Sequence, residues 1–75
     1  MTENAFKMFN IIMTRYLDYM EKGLRKGQSI YNAAHDMFPK ETGQLTGTEF
    51  DCFYSDEKVG VFLDKLYCII KENKK

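Results

Sequence analysis

Tryptophan is absent from this 75-residue chain, proline and histidine each occur once, and cysteine only twice. Each scarcity removes a class of protein. Cys52 and Cys68 are too few and too far apart for a disulfide scaffold or a Cys-x-x-Cys metal knuckle. His35, Cys52, Cys68 and Asp51 do not follow the spacing of any metal-ligand set. His35 and Asp36 are adjacent, and adjacent residues on a helix diverge by about 100°, so by themselves they form no acid–base pair. No spacing places either cysteine as a nucleophile beside His35. Gly-rich phosphate loops and metalloprotease helices are missing as well. The sequence predicts no enzyme, no cofactor and no metal.

Long hydrophobic runs are also lacking. The stretch from Phe6 to Tyr19 is apolar but interrupted by Lys7, Asn10, Arg15 and Asp18, which suits neither a secretory leader nor a membrane span. The expectation is a reduced, cytoplasmic protein without a membrane segment. With 44% hydrophobic and 15% aromatic residues, the chain has more core-forming side chains than disorder would allow. It reads as a single helical domain over residues 1–75. At this size one core supplies only about 3–5 kcal/mol, so a partner or a second copy is the expected source of extra stability.

The net charge is zero, and its distribution is uneven. Residues 1–26 and 58–75 are basic on balance, whereas Glu41, Glu49, Asp51, Asp56 and Glu57 form an acidic tract with no basic residue between them. Such a tract either balances the basic helix ends beside it or steers a basic partner.

Hydrophobic periodicity predicts an all-α protein, a compact bundle of three main helices over about 3–22, 28–38 and 56–73. In the first helix, Phe6, Phe9, Met13, Tyr16, Leu17 and Met20 form the expected buried face, and Gly23 stops it. A second stripe, Met8, Ile12 and Tyr19, lies about 100° further round. An apolar arc this wide exceeds what one neighbouring helix needs, so the second stripe is a candidate self-association face. Ile30, Ala33, Ala34, Met37 and Phe38 give the second helix its apolar side, and Pro39 ends it. Val59, Phe62, Leu63, Leu66, Tyr67, Ile69 and Ile70 do the same for the third, whose end is suited by Lys71, Lys74 and Lys75. Val61 and Cys68 fall off that face.

Residues 39–55 read as a structured loop or a short helical turn. Thr46-Gly47-Thr48-Glu49 fits a capping box, a turn of helix is expected over Thr48 to Phe53, and Ser55 or Asp56 is expected to cap the third helix. Phe53 and Tyr54 would dock the loop on its neighbours, and Asp51, Gln28 and Asn32 would tie its backbone down. Gln28, Asn32, Asp51 and Phe53 thus make a candidate structural latch.

The run Arg25-x-Gly27-Gln28-x-x-x-Asn32-Ala33, followed by Gly47-Thr48-x-x-Asp51-x-Phe53-Tyr54-x-Asp56, resembles a set of very short phage and prophage proteins. The resemblance spans about residues 22–66, and many of those proteins carry proline at the position of Cys52. It implies a viral accessory setting in a host cytoplasm and brings no activity with it.

Two functions fit these features. The favoured one is binding to a host or viral protein, inhibiting a host enzyme or defence system through an acidic surface of Glu49, Asp51, Asp56 and Glu57 with Tyr54 beside it. The alternative is a helix-turn-helix regulator that clamps DNA phosphates with Lys22, Arg25 and Lys26 and reads bases from the second helix. A sequence pI near 6.6 disfavours a nucleic-acid partner.

Overall fold

Nineteen residues without glycine or proline form the first helix, α1 (Glu3–Glu21). Gly23 closes it in the left-handed region at φ +92°. The Gly23 N–H donates to the Met20 carbonyl at 3.0 Å, and the Leu24 N–H donates to the Tyr19 carbonyl at 3.3 Å. This pair of bonds satisfies carbonyls that the helix end would otherwise leave open. The computed structural model describes residues 3–73, and it continues with α2 (Lys26–Met37), α3 (Pro39–Gly43) and α4 (Val59–Asn73). A short 3-10 turn over Asp56–Lys58 leads into α4. The described residues contain no strand, so the fold class is all-α, as the periodicity predicts. Lys74 and Lys75, expected at the end of α4, lie outside the described residues.

α1 packs mainly against α2, and α3 bridges α2 and α4. The core joins Met8 and Ile12 of α1, Ile30, Ala33 and Ala34 of α2, and Val59, Phe62, Leu66 and Ile70 of α4. Two loop residues, Leu45 and Cys52, are buried in it as well. The loop is therefore part of the core rather than a cover over it. Between α1 and α2, the Tyr19 hydroxyl donates to Asp36 at 2.5 Å, and Arg15 lies 3.7 Å from the same carboxylate. The Asp36 bond, helped by partial desolvation and the nearby negative charge, raises the Tyr19 pKa above its ordinary value.

Four expectations need correction. The two stripes of α1 exchange roles: Met8 and Ile12 are buried, and Tyr19 is half-buried and hydrogen-bonded, so these three do not form a free self-association face. Phe6, Met13, Leu17 and Met20 are exposed instead, at 57%, 42%, 60% and 39%. Periodicity measures the width of the apolar arc, but only the position of α2 decides which half turns inward. Second, the short helix of the loop lies at 39–43, not at 48–53. Pro39 does not merely end α2; it takes the first position of α3, where its missing N–H is not needed.

Third, the capping box does not form. With α3 already complete, the Thr46 hydroxyl donates back to the Thr42 carbonyl at 3.2 Å and the Thr48 hydroxyl to the Leu45 carbonyl at 2.6 Å. Fourth, neither Ser55 nor Asp56 caps the helical segment that follows it. The Asp56 carboxylate is committed elsewhere.

Candidate functional site

That carboxylate caps the start of α2. Arg25, the residue at the N-cap position, offers no side-chain cap to its own helix. The Gly27 N–H, one of the open donors of the first turn, donates instead to Asp56 Oδ1 at 2.8 Å. A negative charge at a helix N-terminus is also favoured by the helix dipole. Arg25 completes the clasp: one guanidinium nitrogen donates to the Phe53 carbonyl at 2.7 Å, and the other lies 3.5 Å from Asp56. The Cys52 thiol donates to the Gly27 carbonyl at 3.3 Å.

Gly27 is the residue that permits this approach. A Cβ added there would sit 2.2 Å from the Cys52 carbonyl oxygen and 2.9 Å from Asp56 Oδ1. Loop and helix meet backbone to backbone, and no other residue type fits between them. Burial at this contact, reinforced by the charge of Asp51, pushes the Cys52 thiol up to about 12. The thiol is neutral at physiological pH and so poorly nucleophilic.

Asp51 organises the loop itself. Its two carboxylate oxygens accept from the Gly47 N–H at 2.8 Å and from the Phe53 N–H at 2.9 Å. Gly47 is left-handed, at φ +77°. Phe53 packs edge-on against Tyr31 with ring centroids 5.2 Å apart, and the Tyr31 and Thr46 hydroxyls are hydrogen-bonded at 2.6 Å. Tyr54 stands edge-on to Phe53 at 4.7 Å but is 83% exposed, the most open large side chain of the loop. A shallow depression of about 180 Å³ lies between Tyr31, Thr46, Asp51, Phe53 and Tyr54.

The acidic tract therefore divides. Asp51 and Asp56 serve as backbone acceptors, whereas Glu49 and Glu57 are exposed and pair with no described residue. The latch expected from the sequence divides too. Asp51 and Phe53 lie in the hydrogen-bonded loop, but neither Gln28 nor Asn32 makes a side-chain hydrogen bond to it among the described residues. Arg25 and the Gly27 backbone hold the loop instead, because the loop approaches the first turn of α2, where N–H groups are open, and not its polar side. The sequence signal is the Arg25-x-Gly27 pair, a glycine in the first turn of a helix whose φ does not require glycine, so that only the missing Cβ accounts for it.

The remaining candidates stay apart. His35 is exposed and stacks on Tyr31 at 6.1 Å. Cys68 is exposed on α4. Lys22 lies over the Tyr19 ring at 5.4 Å. No group of three or more His, Cys, Asp or Glu side chains among the described residues is placed to hold a metal ion, and no described helix is long and apolar enough to cross a membrane. A larger cavity of about 300 Å³ opens between α1 and α4, with Met8, Ile11, Phe38 and Ile70 on its walls and Lys7 and Lys71 at its edge. Compared with known proteins, the chain matches no family model, no curated protein and no solved structure.

Proposed function

We propose that this chain is a small phage-type accessory protein that acts by binding a host or viral protein, blocking a host enzyme or defence factor by occupying its surface. The observation that carries the reading is Tyr54. An aromatic ring 83% exposed on a loop pinned by the side-chain hydrogen bonds of Arg25, Asp51, Cys52 and Asp56 is a preorganised anchor, because little conformational freedom remains to be lost on binding. Glu49 and Glu57, exposed near it in sequence and unpaired among the described residues, favour a partner with a basic surface.

The test is a capture experiment from host lysate with three baits: the wild type, Tyr54→Ala, and Glu49→Lys with Glu57→Lys. One protein should be retained by the wild type and lost by both variants, and the purified complex should weaken as salt is raised. Equal retention by all three baits would reject this surface. The helix-turn-helix alternative gains no support from the clasp, since Arg25 is already engaged with Phe53 and Asp56.

A further inference from the structure

A separate surface points to a separate interaction. Phe6, Met13, Leu17 and Met20 form an exposed apolar strip along α1, continued at its inner edge by the half-buried Phe9 and Tyr16. Counted from Met13, the apolar positions stand at seven and four residues before it (Phe6, Phe9) and four and seven after it (Leu17, Met20). At about 100° per residue all four lie within roughly 40° of Met13 around the helix. No charged residue falls within that arc between Phe6 and Met20, so closing it against an apolar surface buries no ion.

We propose that this strip pairs with the same strip of a second copy, antiparallel, about a two-fold axis passing near Met13. That axis sets Phe6 of one copy against Met20 of the other and Phe9 against Leu17, while Met13 meets its own counterpart. The four flanking positions differ in shape, with the rings of Phe6 and Phe9 before Met13 and the slender, flexible Leu17 and Met20 after it, while Tyr16 lies at the inner edge. An antiparallel pair places Phe6 against Met20 and Phe9 against Leu17 on both sides of the Met13–Met13 contact, and a sulfur beside an aromatic ring is a favourable contact. A parallel pair would instead crowd Phe6 and Phe9 against their own counterparts. The same axis brings Asn10 opposite Tyr16, an amide facing a hydroxyl. A two-fold homodimer requires a self-complementary patch, and the pairing of Phe6 with Met20 and of Phe9 with Leu17 supplies one.

Two such strips closing on each other remove on the order of 1,000 Å² of surface, the lower edge of what a specific interface needs, so the dimer is expected to be weak and concentration-dependent. The interface is independent of Tyr54, so loss of either interaction leaves the other intact.

Sedimentation equilibrium tests this on the full chain carrying Cys68→Ser, which removes the exposed thiol. The mass should rise from that of one chain toward that of two as concentration increases to several hundred micromolar. Leu17→Glu should weaken association roughly tenfold or more while leaving the helical circular dichroism unchanged, because Leu17 is 60% exposed and outside the core. Met13→Cys should cross-link to its own counterpart under mild oxidation, and Thr14→Cys, about 100° away, should not. A chain that stays monomeric throughout, a Leu17→Glu variant that still associates, or equal cross-linking at both cysteine positions would each overturn the proposal.

Discussion

Replacing Gly27 by alanine tests the clasp at its tightest point. The new methyl group would lie 2.2 Å from a backbone oxygen, which cannot rotate away, and 2.9 Å from the capping carboxylate. Overpacking a rigid contact costs about 1–3 kcal/mol. Pushing Asp56 off the Gly27 N–H adds the loss of an N-cap, about 1 kcal/mol. Alanine returns about 1 kcal/mol through its better helix propensity. The net loss is about 1–3 kcal/mol, with the upper half expected because the obstacle is main chain. For a domain of this size that lowers Tm by roughly 5–20 °C, out of a total stability of only about 3–5 kcal/mol.

Thermal and urea unfolding followed by far-UV circular dichroism would measure the loss. Gly60→Ala is the internal control, since it lies in α4 and its added Cβ meets nothing within 4 Å beyond its chain neighbours and the backbone of its own helix. Without an obstacle, that substitution should stabilise by about 0.5–1 kcal/mol. A Gly27→Ala protein as stable as the wild type, or one shifted upward like Gly60→Ala, would refute the close contact between loop and helix.

Three further expectations follow from the same contacts. Asp56→Ala should destabilise by about 1 kcal/mol, and Asp56→Asn by less because the amide oxygen still accepts from Gly27; both are read from urea midpoints. Ser29 and Thr42 are fully buried with hydroxyls that find no partner among the described residues, so Ser29→Ala and Thr42→Val should leave stability unchanged or raise it by up to about 1 kcal/mol in thermal melts. Cys52, neutral in the fold up to about pH 12, ionises near 9.0 when unfolded, so the unfolded chain holds fewer protons between those values. The stability it contributes is complete below pH 9.0 and declines as the pH climbs toward 12, by up to about 1.4 kcal/mol per unit, a slope that Cys52→Ala should remove from alkaline denaturation curves.

What the sequence discloses and what it hides divide along the range of the interactions. Gly23, Ile30, Ala33, Ala34 and the Val59–Ile70 face were all legible, because a helix stop and a 3.6-residue period are written in neighbouring residues. The inward side of α1 was not, since apolar side chains cover about half its circumference and Met8 and Phe6 are equally plausible core residues until α2 is placed. Asp56 is deceptive in the sequence for a related reason. Its position just before α4 suggests a local cap, and only the approach of residues 52–56 to Gly27 reveals that it serves a different helix. Arg25 reads equally well as a phosphate ligand, because a guanidinium suits a phosphate as well as it suits a carboxylate and a carbonyl.

The Asp56–Gly27 bond joins positions 29 residues apart, and this has a consequence for how the chain folds. α1 and α2 are sequence neighbours and can associate as soon as both have been synthesised. The first turn of α2, however, lacks its acceptor until the ribosome has released the chain beyond Asp56. In that interval α2 should fray from its N-terminus, and the closing of residues 52–56 onto Gly27 should be a late step governed by loop closure rather than by helix formation. Perturbing the clasp would then change mainly the unfolding rate, whereas perturbing the α1–α2 contact would change the folding rate. The α1–α2 pair can form early, whereas residues 52–56 and α4 complete the core and the clasp afterwards.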